Sequence, residues 1–462
     1  MDLFGTAGIR GSAVERVTPE LALAVGRAAG RDAVEREPGG GPEFVVARDG
    51  RLSGPALAAA VEAGLESAGA DVVRAGMLPT PALAHASRGR WGVMLTASHN
   101  PPADNGIKLF CDGSEYDRDA ERAVEAGVGS GVGPAAWEEW GECETAVLLD
   151  GYRDDVVSYA REQELDLAGM QIAVDCGNGM ASLATPAVLG ALGATVVTLN
   201  ANVDGHFPGR PSKPTAETLT DLRELVADRA FDLGIGHDGD ADRIVVVAPD
   251  GEVVHEDTVV AILARHYVET SDAGDPVVVT TPNASARIDE QVEAAGGRVE
   301  RVRLGALHEG IAAARRDGGP ETAVVFAAEP WKHVHTRFGG WIDGVTSAAV
   351  VSGLAAAAGG LASLREPVTE RPYRKESVDC PDDRKDVVMA GLRERLPGRF
   401  PDATVDTGYG VRLDLPDGSW VLVRPSGTEP YVRVYAESEA VDALMETAVA
   451  VVESAVADAL DQ

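Results

Sequence analysis

Short apolar runs alternate with helical segments along most of the chain. Predicted strands at 43–47 and 171–175 are each followed by a segment with helical spacing of apolar residues, such as 55–68. This alternation favours α/β domains with mainly parallel sheets covered by helices. Residues 365–462 read instead as a strand, a helix, two strands and a helix, which is an α+β pattern.

Glycine and proline predict where this alternation is interrupted. Residues 1–11 read as a loop with several glycines. Residues 78–81, which include two prolines, read as a rigid turn. Asn105-Gly106 predicts a tight turn leading into a strand, and the glycines of 127–133 predict a loosened segment near the first domain boundary.

The charge of the chain excludes some partners. The 462 residues carry a formal net charge of −33, and the acidic residues are spread along the whole chain. Such a field repels nucleic acid and anionic membranes, and it is typical of a protein adapted to high salt. Lysine is rare, so each lysine deserves locating: Lys108, Lys213, Lys332, Lys375 and Lys385.

The cysteines and the N-terminus indicate a cytoplasmic protein. The four cysteines lie far apart without a CxxC pair, which argues against a disulfide framework or a zinc site. The first residues show neither the basic nor the apolar region of a signal peptide. No apolar run approaches the roughly 18 residues of a membrane span.

A serine follows the predicted strand at 92–95. Thr96-Ala97-Ser98-His99-Asn100 leads into two prolines, so the strand cannot continue through this loop. Open α/β sheets bind ligands at the carboxyl ends of their strands. Ser98 is therefore a candidate reactive residue, and the alternative is an ordinary Ser/Asn turn.

Three aspartates form the next motif. Asp238, Asp240 and Asp242 are separated by single small residues, and in an extended segment this spacing points all three carboxylates to one side. Oxygen ligands suit Mg²⁺. An EF-hand is excluded because Arg243 and Pro249 occupy positions that require glycine and glutamate. An aspartate-nucleophile phosphatase and a solvated surface turn stay open.

A third motif, 424–430, lies between two predicted strands. Backbone N–H groups of Ser426, Gly427 and Thr428 can form a concave nest for an anion. Arg424 adds a fork that suits phosphate. A plain hairpin with a structural arginine is the alternative.

Other candidate residues are single side chains. Lys108 comes ten residues after Ser98 and could reach a phosphate on it, or could be a surface lysine. His99 and His308 are most simply structural histidines, and Arg10 a core arginine paired with a carboxylate.

The three motifs, in this order, closely resemble the α-D-phosphohexomutase superfamily. The segments are 96–101, 238–243 and 424–430, and the resemblance covers essentially the whole chain. It implies four domains around a central cleft, three of them similar mixed α/β three-layer domains and the last a smaller α+β domain. The implied domains are 1–145, 146–249, 250–364 and 365–462.

The resemblance also implies roles for individual residues. Ser98 would be a phosphoserine that, with Asp238, Asp240 and Asp242, holds one Mg²⁺ per active site. His99, Lys108 and Arg10 would join Ser98 in catalysis. The substrate, a small sugar phosphate, would be bound by Arg243, His308, Glu329, Lys332, Arg424, Ser426, Gly427, Thr428 and Arg433.

The preferred sugar is predicted from a closer resemblance. Segments 3–11, 104–108, 329–332 and 340–343 look like those of archaeal phosphoglucosamine mutases, and Trp331 stands where the wider family usually has serine. The expected reaction interconverts glucosamine 6-phosphate and glucosamine 1-phosphate, with phosphomannomutase/phosphoglucomutase as the alternative. A non-catalytic sugar-phosphate sensor is a further reading. We expect a monomer or a homodimer.

Overall fold

The computed structural model describes residues 3–5, 8–37, 40–426 and 429–460. The chain divides into two compact units. The first contains Met1–Val259 with Val325–Arg365, and the second contains Val260–Val324 with Glu366–Gln462.

The first unit begins with a mixed seven-stranded sheet in the order β1-β5-β4-β2-β3-β7, with β6 paired to β5. Its strands are β1 (Ile9–Ser12), β2 (Glu43–Arg48), β3 (Asp71–Met77), β4 (Trp91–Leu95), β5 (Asp104–Cys111), β6 (Ser114–Glu115) and β7 (Cys143–Thr145). The helices are α1 (Pro19–Arg36), α2 (Gly54–Ser67), α3 (Thr80–Ala86) and α4 (Arg118–Ser130). Strand β2 runs parallel to β3 and β4, whereas β5 is antiparallel to β4 and β1.

Helices α1 and α2 pack closely because glycines face each other's backbone. Thr18 caps α1 by accepting a hydrogen bond from the N–H of Leu21, and a proline occupies the first turn. A Cβ on Gly26 would lie 2.4 Å from the carbonyl oxygen of Val61. No side chain fits there, so the two helices form one layer over the sheet.

A second sheet of the first unit has the order β11-β10-β8-β9. Its elements are α5 (Leu149–Glu162), β8 (Gln171–Asp175), α6 (Thr185–Ala191), β9 (Thr195–Leu199), α7 (Thr220–Asp228), β10 (Leu233–His237) and β11 (Ile244–Val247). Strand β8 is parallel to both β9 and β10, and β11 returns antiparallel to β10. The β10–β11 connection carries the three aspartates.

The next stretch contributes to both units. Its elements are α8 (Glu256–Glu269), β12 (Asp275–Thr280), α9 (Ala286–Ala294), β13 (Arg298–Arg301), α10 (Leu307–Asp317), β14 (Thr322–Glu329), β15 (Lys332–Val334), α11 (Gly344–Ala357) and α12 (Leu361–Arg365). Strands β12 and β13 are parallel, and β14 and β15 form a hairpin. Helix α11 is buried almost all round, which its run of small apolar residues permits.

The C-terminal part of the second unit is an antiparallel sheet in the order β16-β20-β19-β18-β17. Its elements are β16 (Tyr373–Asp379), α13 (Lys385–Arg399), β17 (Thr404–Asp406), β18 (Val411–Asp414), β19 (Trp420–Pro425), β20 (Tyr431–Glu437) and α14 (Val441–Leu460). Valines of β19 and β20 pack on α13 and α14. The predicted α/β class with an α+β C-terminal part is confirmed, while the four domain boundaries stay a prediction.

Several local predictions were wrong. Asn105 and Gly106 lie inside β5, paired with Gly11 and Arg10 of β1, because a Cβ on Gly106 would lie 2.4 Å from the carbonyl oxygen of Thr96. This glycine serves a close approach of two strands and makes no turn. Ile9–Ser12 is accordingly a strand, whereas part of the predicted loop at 1–11 lies outside the described residues.

Other errors concern helices and the sheet type. Helix α4 continues through Gly127 to Ser130, and Gly131 caps it with a positive φ. Helix α3 begins at Thr80, inside the predicted turn. Four strands, not two, separate α13 from α14. Antiparallel returns make the first sheet of this unit mixed and not mainly parallel. The second sheet is mainly parallel as predicted, with β11 antiparallel to β10 at its edge.

One observation concerns membranes. Among the helices of the described residues, none combines the length and apolar character needed to cross a bilayer.

The second unit buries an ion pair. Arg287 of α9 lies 3.0 Å from the Oε1 atom of Glu437 on β20, and both side chains are buried. Ser285 and the indole N–H of Trp420 donate to the same carboxylate, at 2.8 and 3.0 Å. The carboxylate is thus fully satisfied, and it ties α9 to the C-terminal sheet.

Arg287→Met is expected to lower the free energy of unfolding by about 3–5 kcal/mol, because it leaves the Glu437 carboxylate buried without its cation. Denaturant unfolding measures the change. Arg298→Met is the matched control: Arg298 pairs with Asp275 at the surface of the same unit, so its loss costs about 1 kcal/mol or less. Equal unfolding midpoints for the two variants would contradict this account.

Candidate active site

The serine loop follows β4 and holds Ser98 in an uncommon backbone conformation. Ser98 is fully buried and has a φ of 52°. Its N–H donates to the Oγ1 atom of Thr96 at 2.9 Å. Its Oγ atom donates to the Oδ2 atom of Asp238 at 2.7 Å. A non-glycine residue reaches this region of φ only where its surroundings enforce it.

A buried arginine enforces that conformation. Arg51 is fully buried, and its Nε atom donates to the Oδ2 atom of Asp49 at 3.0 Å. The same aspartate oxygen accepts a hydrogen bond from Thr96 at 2.7 Å. The guanidinium donates to four backbone carbonyls of the serine loop, those of Ser98, Asn100, Pro101 and Asp104.

Sequence reasoning missed Asp49 and Arg51. The available signal was their position directly after β2, which pairs in parallel with β4. The carboxyl ends of parallel neighbours meet at one sheet edge, so a charged pair after β2 lies beside the serine loop after β4.

The aspartate loop converges as predicted, although for a different reason. Oxygen atoms of Asp238, Asp240 and Asp242 all lie within 4.8 Å of one another, and all three residues are buried. The segment is a turn in which Ala241 has a φ of 62°, so its spacing does not come from an extended strand. The adjoining Gly239 approaches the serine loop so closely that a Cβ would lie 2.6 Å from the carbonyl oxygen of Ser98.

The donor set of this loop fits a divalent cation. The Oδ1 atoms of Asp240 and Asp242 are buried and have no hydrogen-bond partner. Unpartnered carboxylate oxygens are costly in a protein interior, and oxygen-only ligands suit Mg²⁺. Asp238, Asp240 and Asp242, with the Ser98 side chain beside them, are the residues that could hold the ion.

Two cations balance the aspartates. The Nζ atom of the buried Lys108 lies 3.0 Å from Asp242 and 3.5 Å from Asp240. Arg243 lies 3.7 Å from both Asp238 and Asp242. Burial opposes the charge of Lys108, yet the two aspartates outweigh it and raise the pKa of this amine. Lys108 is therefore a cation held inside the site.

Asp238 and Asp242 differ electrostatically. Burial, together with the charges of Asp242 and Asp240, raises the pKa of Asp238 well above its ordinary value. Burial would also raise the pKa of Asp242, but Lys108 and Arg243 overcome it and hold this pKa below its usual range. The cluster thus combines a carboxyl group that burial favours as neutral with one that is firmly ionised.

His99 and Arg10 lie at the same place. The Nδ1 atom of His99 is 3.3 Å from the Oγ atom of Ser98. Burial, with help from the charges of Arg243 and Arg10, lowers the pKa of His99 to about 3, so its ring is neutral near pH 7. The Nε atom of Arg10 is buried without a hydrogen-bond partner. The charge of Arg10 acts on both His99 and Lys108, which places its guanidinium among these residues.

The β14–β15 hairpin supplies Glu329 and Lys332. Their side chains pair across the hairpin at 3.4 Å. Trp331, at the turn, has a φ of 69°, and its carbonyl accepts the N–H of Ile244 at 3.3 Å. Lys332 also forms an isolated β-bridge with Arg243. The hairpin is therefore joined to the end of the aspartate loop.

The remaining predicted residues belong to the second unit. His308 lies on α10, and Arg424, Ser426 and Arg433 lie on or beside β19 and β20. Gly427 and Thr428 fall outside the described residues.

Lys385, the first residue of α13, braces the loop between β19 and β20, a role that the sequence did not predict for this lysine. It donates to the carbonyls of Ser426 and Glu429 at 2.7 and 2.6 Å. It thereby holds both sides of the loop at 426–429 together.

Known protein families match most of the chain. The phosphoglucomutase/phosphomannomutase α/β/α domain I matches residues 1–131, domain II matches 150–251, and the C-terminal domain matches 378–454. The "Probable phosphoglucosamine mutase" of Methanopyrus kandleri is 42% identical over 94% of each chain. The chain belongs to the α-D-phosphohexomutase superfamily.

Two further members are similar over nearly their full length. The "Phosphopentomutase" of Thermococcus kodakarensis is 41% identical, covering 95% of this chain and 94% of that one. A crystal structure of a phosphoglucomutase/phosphomannomutase family protein from Burkholderia thailandensis has a TM-score of 0.83 and 26% identity, covering 98% and 97% of the two chains. The superfamily resemblance predicted from the three motifs is confirmed.

Asp240→Asn tests whether the aspartate cluster binds metal. Loss of one of three carboxylates is expected to weaken Mg²⁺ binding by about tenfold or more, because affinity follows the number of charged oxygen ligands. Isothermal titration with MgCl₂ measures it. Asp250→Asn, which changes an exposed aspartate after β11, is expected to bind Mg²⁺ as the wild type does. Unchanged binding by Asp240→Asn would place the metal elsewhere.

Proposed function

We propose that this phosphohexomutase interconverts glucosamine 6-phosphate and glucosamine 1-phosphate through a phosphoserine at Ser98 and a bisphosphorylated sugar intermediate. One observation carries the reaction type. The Oγ atom of the buried Ser98, on a loop that Arg51 braces, lies 2.7 Å from the Oδ2 atom of Asp238. Asp238 belongs to a cluster of three aspartates, one of which pairs with a buried lysine.

The first transfer moves the phosphoryl group from Ser98 to a free sugar hydroxyl. The bond between phosphorus and the Ser98 Oγ atom breaks, a bond to the sugar oxygen forms, and the hydroxyl proton ends on Oγ. The product is a sugar bisphosphate. The second transfer is the reverse step with the sugar's other phosphate, which returns a phosphoryl group to Ser98 and leaves the isomer.

Transfer of this kind depends mainly on positioning and on charge stabilisation. Asp238, Asp240, Asp242 and the phosphoserine would hold a Mg²⁺ ion, which would supply positive charge at the phosphoryl oxygens. Lys108 and Arg10 contribute fixed positive charge close to Ser98. His99, neutral and within reach of the Oγ atom, orients that oxygen by hydrogen bonding.

The sugar presents a different end to Ser98 in each of the two transfers. In each of them, the end that does not react must be bound by other residues of the protein. We assign the non-reacting phosphate to the loop of the second unit, with Arg424, Ser426, Gly427, Thr428 and Arg433 as its ligands. Arg243, His308, Glu329 and Lys332 are assigned to the sugar and its remaining oxygen atoms.

Two observations support glucosamine as the sugar. Several methanogen relatives, including that of Methanothermobacter thermautotrophicus at 39% identity, are named probable phosphoglucosamine mutase. Glu329 is a buried carboxylate on the hairpin, and a 2-ammonium group is a cation that a carboxylate binds well.

A phosphopentose is the second candidate, because the Thermococcus kodakarensis relative bears the name phosphopentomutase at a similar identity. The third, a glucose or mannose phosphate, follows from the wider phosphoglucomutase/phosphomannomutase family.

Ser98→Ala is expected to abolish isomerisation, with a loss of at least about 10³-fold in kcat, because the phosphoryl carrier is gone. The wild type is expected to carry phosphate at Ser98, seen by intact mass and peptide mapping. Thr96→Ser is the matched control, since it keeps the hydroxyl that supports the serine N–H. Substantial turnover by Ser98→Ala would favour an aspartate nucleophile at Asp238 and a phosphatase reaction.

Comparison of kcat/KM on the 1-phosphates of glucosamine, glucose, mannose and ribose assigns the substrate. Glucosamine 1-phosphate is expected to be preferred by about tenfold or more, the usual worth of one well-placed charged hydrogen bond. Glu329→Gln is expected to erase most of that preference. A clear preference of the wild type for ribose 1-phosphate would make the enzyme a phosphopentomutase.

A further inference from the structure

The C-terminal sheet of the second unit has two different faces. Val421 and Val423 of β19 and Val432 and Val434 of β20 pack against α13 and α14. Side chains alternate along a strand, so the residues between these valines face the other way. On this outer face, Trp420, Leu422 and Tyr435 form an apolar cluster with Arg412 stacked over Trp420, and Arg424 and Arg433 lie towards the loop at Ser426.

Strand register brings the charged residues of this outer face together. Arg424 of β19 stands directly opposite Arg433 of β20, and Arg433 stands opposite Ser377 of β16. In the next row, Lys375 of β16 stands opposite Tyr435 of β20. Lys375, Ser377, Arg424 and Arg433 therefore form one patch, here called the cationic row, across three neighbouring strands.

Aromatic rings hold these cations in place. The guanidinium of Arg424 lies over the ring of Tyr435, 5.4 Å from its centroid, and donates to the phenol oxygen at 2.8 Å. The ammonium of Lys375 lies 5.6 Å from the centroid of the same ring. Arg433 lies 5.1 Å from the ring of Tyr431. Tyr435 thus aligns Lys375 with Arg424.

The cationic row is unfavourable without an anion. Like charges directly opposite on neighbouring strands repel each other. The Nε atoms of Arg424 and Arg433 are buried without hydrogen-bond partners. Glu429 pairs with Arg433 at 3.0 Å, but its side chain is 51% exposed, so this pair offsets little of the repulsion. A dianionic phosphate would satisfy the free N–H groups and the charge.

We infer that Lys375 is a third cation of the site for the non-reacting phosphate, and that Ser377 lies beside it as a hydroxyl donor. The inference rests on the proposed function for the identity of the ligand, a sugar phosphomonoester. Lys375 is one of only five lysines in a chain of net charge −33, and its ammonium shares a ring with an arginine of the phosphate loop. Its role is to bind and orient the phosphate, because it lies on the phosphate-loop sheet and not among the residues around Ser98.

Lys375→Met is the test, and Arg374→Met is the matched control. Arg374 is the neighbouring residue of the same strand, loses the same charge, and faces the opposite side, where it pairs with Asp442 and Glu376. Lys375→Met is expected to raise KM for glucosamine 1-phosphate by roughly tenfold with kcat changed less than about twofold, since a charged hydrogen bond to phosphate is lost. Lys375→Arg is expected to restore most of the affinity, and Arg374→Met to keep the wild-type KM.

A second measurement separates this inference from the proposed function. Calorimetric titration of glucose 1,6-bisphosphate into Ser98→Ala and into Ser98→Ala/Lys375→Met measures binding without turnover. Weaker binding by the double variant supports the phosphate site even if the wild type isomerises none of the tested sugars. Equal binding by both, or a KM of Lys375→Met equal to that of Arg374→Met, overturns the role of Lys375 whatever the enzyme's substrate is.

Discussion

A buried guanidinium is the interaction on which the candidate active site depends. Arg51, neutralised by Asp49, binds four carbonyls of the serine loop and so holds Ser98 in a conformation that the chain would otherwise avoid. Burying an arginine–aspartate pair costs desolvation, and an interior of this kind tolerates it only when every donor is used. Here all of the remaining donors of Arg51 bind backbone carbonyls of the serine loop.

The second sheet of the first unit repeats the device. Arg210 pairs with Asp175 at 2.9 Å and donates to the carbonyl of His237 at 2.6 Å, directly before the aspartate loop. Asp49 and Asp175 each follow or end a central strand of their sheet. Both loops of the proposed reaction are thus braced by an aspartate–arginine pair from a neighbouring strand end. Loops of this kind are rigid because their backbone oxygens, and not only their side chains, are bound.

Sequence predicted the chemistry better than the geometry behind it. Ser98, Lys108 and the aspartates meet as expected, because the carboxyl ends of strands converge and buried carboxylates attract the few buried cations. Arg51 and Arg210 were missed because most of their partners are backbone carbonyls, which a residue pattern does not show; for Arg51, only its position directly after β2 was a signal. The turn predicted at Asn105-Gly106 was wrong for a related reason. In the sequence, a glycine required by close contact between strands cannot be told from a glycine required by a turn. Strands β5 and β11 run antiparallel to their neighbours, and the alternation of strands and helices in the sequence does not predict that direction.

The absence of a side chain at Gly239 carries a consequence for how this site can be altered. A Cβ at this position would lie 2.6 Å from the carbonyl oxygen of Ser98, so the serine loop and the aspartate loop meet backbone to backbone. A distance set in that way cannot be tuned by exchanging one side chain for another. Substitutions elsewhere, such as in the β14–β15 hairpin, can therefore change the side chains around the site while the spacing between the serine loop and the aspartate loop stays set by the two sheets.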